Sequence, residues 1–350
     1  MRSRSLFSAV VVILAIAVTA AAPAPRPVTF RTRTMGTWGA LTVVTPDSAA
    51  VADAALASLL VFHRVDSLMS NWSETSDVAH INREAGRAPA SIHPEVATVV
   101  TAALQVARES HGAQDITVEP LVRLWGFLGG KPRVPSRAEI DATLPRVGFE
   151  GIRLSSDAST IAFARPDMRV DLGGIAKGYA VDQAGAVLAR AKITDYLVDL
   201  TGNMLASGNA AGHDGWVVGV RDPSGRSPHL VSVRLRGQAI STSGNYEQFV
   251  EGNGKRYGHI IDPRTGWPAE GPASVTVVGA SAMTCDAWDT GLFVLGSAEA
   301  RRIAKARDDI SIILVEPSSD ARFLIWVEES LRASIIIDHN TASLHDVRYF

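Results

Sequence analysis

The chain has 350 residues, 46% hydrophobic and 20% charged, with a formal net charge of -2, which is enough apolar content for one large domain or two ordinary ones. The near-neutral balance and the lack of a long basic stretch argue against a nucleic-acid partner. The only cysteine is Cys285, which excludes an intrachain disulfide.

Arg2 and Arg4 precede an apolar run from Leu6 to about Ala22, followed by "AAPAPRP". A basic n-region, an apolar core and small residues describe a secretory signal peptide over residues 1–24. Pro23 and Pro25 leave the cleavage point open, and the run is nearly long enough to persist as a membrane anchor. The expected location is therefore periplasmic or exported, with the N-terminal segment as the possible tether. The rest, residues 28–350, reads as one domain.

In chain order, "TWGALTVVTP" alternates as a strand should. A helix is predicted after it, with Val51, Ala55, Leu59 and Phe62 at helical spacing and Ser48 as N-cap. A second helix is predicted from Pro94 to about Ser110, then a loop over Gly129–Ser136 and a short helix in "SRAEIDATLPRVG". Short strands follow in "GIRLSS", "STIAFA" and "MRVDL", and a helix starts near Ile175. "YLVDLTG", "GWVVGVRDP", "LVSVRLRG" and "ASVTVVGAS" are predicted strands. Two helices, in "TCDAWDTGLFVLG" and "SAEARRIAKAR", precede the strand "ISIILVE", and the tail "FLIWVEES" can extend a sheet. The fold class is mixed α/β: mixed sheets flanked by helices, in a single large domain with sublobes.

Four stretches carry candidate chemistry. In "DLGGIAKGYAVD", Gly173 and Gly174 open a helix, and Lys177 adds a positive charge. Free amides at such a start can face an anion, although a glycine pair before a helix is by itself more often a plain tight turn. The stretch matches neither a P-loop nor the dinucleotide fingerprint. In "MTCDAWDTGLF", Asp286, Asp289 and Thr290 fall at i, i+3 and i+4, so one helix face presents two carboxylates and a hydroxyl suited to magnesium. A solvated helix start is the equal alternative. "GHIIDPRTGWP" supplies His259 ahead of a turn, and "DITVEPLVRLWGF" supplies Trp125 beside Gly126. A lone histidine is more often structural than catalytic, and tryptophan more often packs a core.

In combination these stretches are more specific. "TMGTW", "LMSNWSETSDVAHIN", "DITVEPLVRLWGF", "VDLGGIAKGYAVD", "GHIIDPRTG" and "CDAWDTGLFVLG" resemble, in order and spacing, the ApbE family of FAD:protein FMN transferases, from about Thr34 to about Leu314. The resemblance implies an enzyme that binds FAD with a divalent metal and splits its pyrophosphate. FMN would pass to a Thr or Ser hydroxyl of an acceptor flavoprotein, leaving AMP. It implies FAD contacts at Met35, Trp72, Leu124, Trp125, Gly126, Asp171, Lys177 and Ile260. It also implies a metal, Mg2+ or else manganese or calcium, at Gly174 (through its carbonyl), Asp286, Asp289 and Thr290. His259 is the candidate general base. Thr201 stands where the family often has glycine. Two other readings keep the flavin: an FAD pyrophosphatase that uses water as acceptor, and a flavin-binding protein without turnover.

Overall fold

The computed structural model describes residues 24–245, 248–252, 254–318 and 322–350; the expected signal segment falls outside them except for Ala24. Its first elements are the hairpin of β1 (Arg26–Thr34) and β2 (Thr37–Thr45), then α1 (Ser48–Met69) and α2 (Asp77–Glu84). After these come β3 (Ala90–Ser91), α3 (Pro94–Glu109), α4 (Glu119–Leu124), α5 (Arg137–Thr143), β4 (Ile152–Leu154) and β5 (Thr160–Phe163). α6 (Ala176–Arg190) leads into β6 (Tyr196–Leu200), β7 (Asn203–Ser207), β8 (Trp216–Arg221), β9 (His229–Leu235) and β10 (Ala239–Gly244). β11 (Phe249–Gly252), β12 (Lys255–Gly258) and β13 (Ser274–Gly279) precede α7 (Ala282–Leu295) and α8 (Ser297–Lys305). The chain closes with β14 (Ile310–Pro317), β15 (Phe323–Val327), β16 (Ile335–Ile336), α9 (His339–Leu344) and β17 (Asp346–Tyr349).

Nine strands form one sheet in the order β1-β2-β6-β7-β10-β13-β14-β15-β17. All its pairs are antiparallel except β15 with β17. Period-two alternation gives the sheet two buried faces. Ala239, Val275, Val277, Ile312 and Leu314 enter the core shared with α1, α3, α6 and α7. Ile240, Val278, Ile313 and Val315 enter a second core, shared with the small sheet β16-β9-β8. A third cluster, around Trp125, Leu121, Ile140 and Ile261, ties α4 and α5 to the segment after β12. The expected architecture, mixed sheets flanked by helices, is the one observed.

Three local expectations change. The cap of α1 is Asp47, whose side chain accepts from the amides of Ala49 and Ala50, and Ser48 is already helical. β1 has no counterpart in the predicted elements: its exposed arginines and threonines hide the alternation that the sheet imposes. "MRVDL" is not a strand. Met168, Val170 and Leu172 are buried in alternation, but side-chain and loop partners take the ladder's hydrogen bonds. Asn82 donates to the Val170 carbonyl (2.9 Å) and accepts from its amide (2.7 Å), and the Asp171 amide donates to the Ile116 carbonyl. The pattern seen in the sequence is extended chain, and it does not reveal the partner.

Candidate active site at the α6–α7 junction

α6 and α7 meet at their N-termini, and each supplies a carboxylate to the other. Asp286 of α7 accepts from the Gly178 amide in the first turn of α6 (2.9 Å). Asp182 of α6 accepts from Ser281 Oγ (2.7 Å) and from the amides of Ala282 (2.7 Å) and Met283 (3.0 Å) at the start of α7. The exchange satisfies amides that a helix start leaves without internal partners and places negative charge at the positive dipole ends. Gly178 permits the approach, because a Cβ there would lie 2.2 Å from the Ala282 carbonyl oxygen.

The two carboxylates on the face of α7 are held differently. Asp289 is buried and fully engaged. Ser241 Oγ donates to its Oδ2 (2.5 Å), Ser243 Oγ to its Oδ1 (2.9 Å), and Thr290 Oγ1 lies 3.1 Å from the same Oδ1. Ser241 also contacts Asn203 (2.7 Å). Burial, and then the charge of Asp286, push the Asp289 carboxyl well above the usual carboxylate range, to about 8. The second oxygen of Asp286, Oδ1, faces Lys177 Nζ at 3.7 Å. Lys177 donates to the Gly173 carbonyl (2.7 Å), and the Gly173 amide is held by Asp171 (2.9 Å). Gly174 completes the cluster: its carbonyl accepts from Gln114 Nε2 (3.2 Å), and a Cβ on it would lie 3.4 Å from Thr290 Oγ1.

Asp171, Gly174, Lys177, Asp286, Asp289 and Thr290 are thus one connected constellation, although more than a hundred residues separate its halves. Its donor set fits a hard cation: two carboxylates, a hydroxyl and a backbone carbonyl, with one carboxyl driven up by burial beside a second acid. Among the described residues no group of three His, Cys, Asp or Glu side chains forms a metal cage.

Of the other predicted residues, Met35 and Trp72 reach this constellation through short chains of contact. Met35 sits at the tip of the β1–β2 hairpin with φ 48, its amide held by Asp66 of α1 at 3.1 Å. Trp72 follows α1 and is 72% exposed; its neighbour Asn71 donates to Val170, one residue before Asp171. Half-buried His259 stacks edge-on against Phe127 at 6.3 Å between ring centroids, with Nδ1 3.3 Å from the Gln248 carbonyl. Ile260 is buried. Leu124 is half-buried and lines a cleft of about 300 Å³ with Glu119 and Arg169. Trp125 is fully buried, its indole donating to the Gly266 carbonyl (2.9 Å) between Tyr257 and Trp267. That leaves its ring fixing the "IIDPRTG" segment, with no surface open to a ligand. Gly126 has φ 80, and a Cβ would lie 2.1 Å from the Lys131 carbonyl oxygen, so its role is in the turn.

Sequence reasoning missed Gln114, Asn203, Asp182, Ser241 and Ser243. Only the last two leave a signal: "STS" puts two hydroxyls on one face of a strand, at i and i+2.

The pattern of the ApbE family matches residues 35–314. The chain belongs to the ApbE family. It is 32% identical over 316 residues to the FAD:protein FMN transferase of Salmonella typhimurium, covering 88% of this chain and 89% of that one. It is 31% identical over 281 residues to the enzyme of the same name from Escherichia coli K12, covering 79% and 80%. The flavin transferase ApbE of Vibrio cholerae superposes with a TM-score of 0.79 at 29% identity, over 89% of this chain and 99% of that one.

Proposed function

We infer that this chain is an FAD:protein FMN transferase, and we propose that it works with magnesium on a Thr or Ser hydroxyl of an acceptor flavoprotein. The observation that carries the reading is the pair of buried carboxylates on α7, set against Gly174 and the start of α6. FAD is the substrate. The acceptor oxygen forms a bond to the phosphorus on the FMN side, the pyrophosphate bond breaks, and AMP leaves. Asp286, Asp289, Thr290 and the Gly174 carbonyl would hold magnesium, which supplies charge neutralisation at the pyrophosphate and at the departing phosphate.

The chain's own groups do the rest. Lys177, within a side-chain rotation of turning from Asp286 toward an anion, adds a cation at the diphosphate. The turn at exposed Gly173 and half-buried Gly174 allows close approach of backbone to phosphate. Met35 and Trp72 bound the flavin side, and Trp72 has most of its ring available for stacking. His259 accepts the hydroxyl proton, a role that imidazole chemistry suits near neutral pH. An exported location follows from the N-terminal segment, with the membrane as its anchor where that segment is retained.

The test incubates the protein with FAD, magnesium and an exported flavoprotein, and reads the acceptor by mass spectrometry. A gain of one FMN in phosphoester linkage, with equimolar AMP, is expected. AMP release at the same rate without acceptor would make the protein a pyrophosphatase, and intact FAD would make it a carrier.

A further inference from the structure

We propose that the open edge of β1 is the docking strand for the acceptor protein, and that it takes an extended segment with acidic residues at alternate positions. The proposal rests on the transferase reading and names the partner surface of the same site. Among the described residues β1 ends the large sheet and pairs with β2 alone, in unbroken register from Arg26 with Thr45 to Thr34 with Thr37. Among the described residues nothing bonds the backbone of its other edge. Nine residues at about 3.3 Å each make a rail of roughly 30 Å. Edges of this length are usually shortened, bulged or covered, and one left open is a template for a strand from another chain.

The side chains on this rail specify the partner. Arg31 and Arg33 are exposed on one face, opposite Ala40 and Trp38 of β2. Neither has an ion-pair partner among the described residues, whereas Arg123, Arg133, Arg137, Arg264, Arg302 and Arg332 each hold a carboxylate. Two such cations at i and i+2 on an edge strand match two acids at i and i+2 on an added strand, where cross-strand neighbours face each other. Trp38, 62% exposed beside Arg33, offers the aromatic anchor that protein interfaces favour.

The rail also leads to the chemistry. β1 runs straight into Met35, whose amide Asp66 fixes, and from there Asn71 and Val170 connect to Asp171. A segment seated on β1 therefore delivers the residue beyond its acids to the mouth of the flavin pocket.

Two labelled ten-residue peptides of one composition test this, one with aspartates alternating (Asp-x-Asp) and one with them adjacent. Binding to the full chain is read by fluorescence anisotropy without FAD or metal. The alternating peptide should bind at least tenfold more tightly, the preference should shrink as salt rises, and Arg31→Gln/Arg33→Gln should abolish it. Equal affinities, or a preference untouched by the double substitution, would overturn the docking strand. Flavin transfer by the unaltered chain is scored separately. Retained transfer with failed peptide binding removes only this inference, whereas failed transfer removes the reading beneath it.

Discussion

The two sides of the site are built on opposite plans. At the α6–α7 junction Asp289 is fully buried and has three hydroxyl contacts, and Asp286 and Asp182 each cap the other's helix. On the proposed flavin and acceptor side Trp72 is largely exposed, and half-buried His259 rests edge-on against Phe127 with a 3.3 Å contact to a loop carbonyl. The first side is organised before any substrate arrives; the second is finished by what binds there. Handling of pyrophosphate charge needs fixed dipoles in a dry setting, whereas a site that must admit another protein's hydroxyl has to stay open.

The strongest test of this contrast removes the charge from the organised side. Asp289→Asn should lower transfer on the order of 10³-fold, in the range of other lost charge-stabilising groups. It should also raise the melting temperature of the metal-free protein at neutral pH, because the buried amide is neutral without taking up a proton on folding. The pH dependence has a definite sign. The folded-state pKa of Asp289 is raised to about 8 from an ordinary 3.8, so the folded chain binds the extra proton. The stability this contributes is complete below pH 3.8 and is lost as pH rises through about 8. Melting temperatures of the metal-free protein should fall across that window and flatten in Asp289→Asn, and magnesium should restore them at the alkaline end. A flat profile in the unaltered chain would mean that Asp289 ionises freely.

On the open side the expected loss is smaller and of another kind. His259→Ala should reduce kcat by about 10²-fold, the lower range for a general base. FAD affinity should stay unchanged, and the melting temperature should move little because the ring is only half-buried. If FAD affinity falls in parallel with kcat, His259 positions the cofactor and is not the base. Gly178→Ala moves back to the organised side and acts through structure alone. Its new Cβ would meet the Ala282 carbonyl at 2.2 Å, so α6 and α7 must part, at about 1–3 kcal/mol. Denaturant titration measures that cost, and an undiminished stability would show that the junction is not close-packed.

The same contrast explains what the sequence could disclose. Asp286, Asp289 and Thr290 were legible because a helix fixes the spacing of its own face, and Gly173–Gly174 because a glycine pair before a helix marks a turn. The long helices and the buried strands "ASVTVVGAS" and "ISIILVE" were legible through apolar periodicity. Asn203, Gln114 and Asp182 were not, because their meaning lies in partners across the fold that no local pattern marks. Trp125 shows the reverse: a motif residue whose buried ring holds a turn in place.

The smallest effect concerns the rim. β1–β2 and β6–β7 both turn on two residues with positive φ, Met35–Gly36 (48 and 70) and Thr201–Gly202 (55 and 87). Such turns favour Asn or Gly at the first position, and a β-branched residue there is strained. Thr201 recovers part of the cost, since its hydroxyl lies 2.9 Å from that of Thr37, which links the two hairpins. Thr201→Gly should therefore stabilise the chain by no more than about 1 kcal/mol, while releasing the β1–β2 tip that carries Met35. If the link matters, FAD affinity should weaken slightly as the melting temperature rises; if both hold still, the hairpins are independent and Met35 is positioned by Asp66 alone.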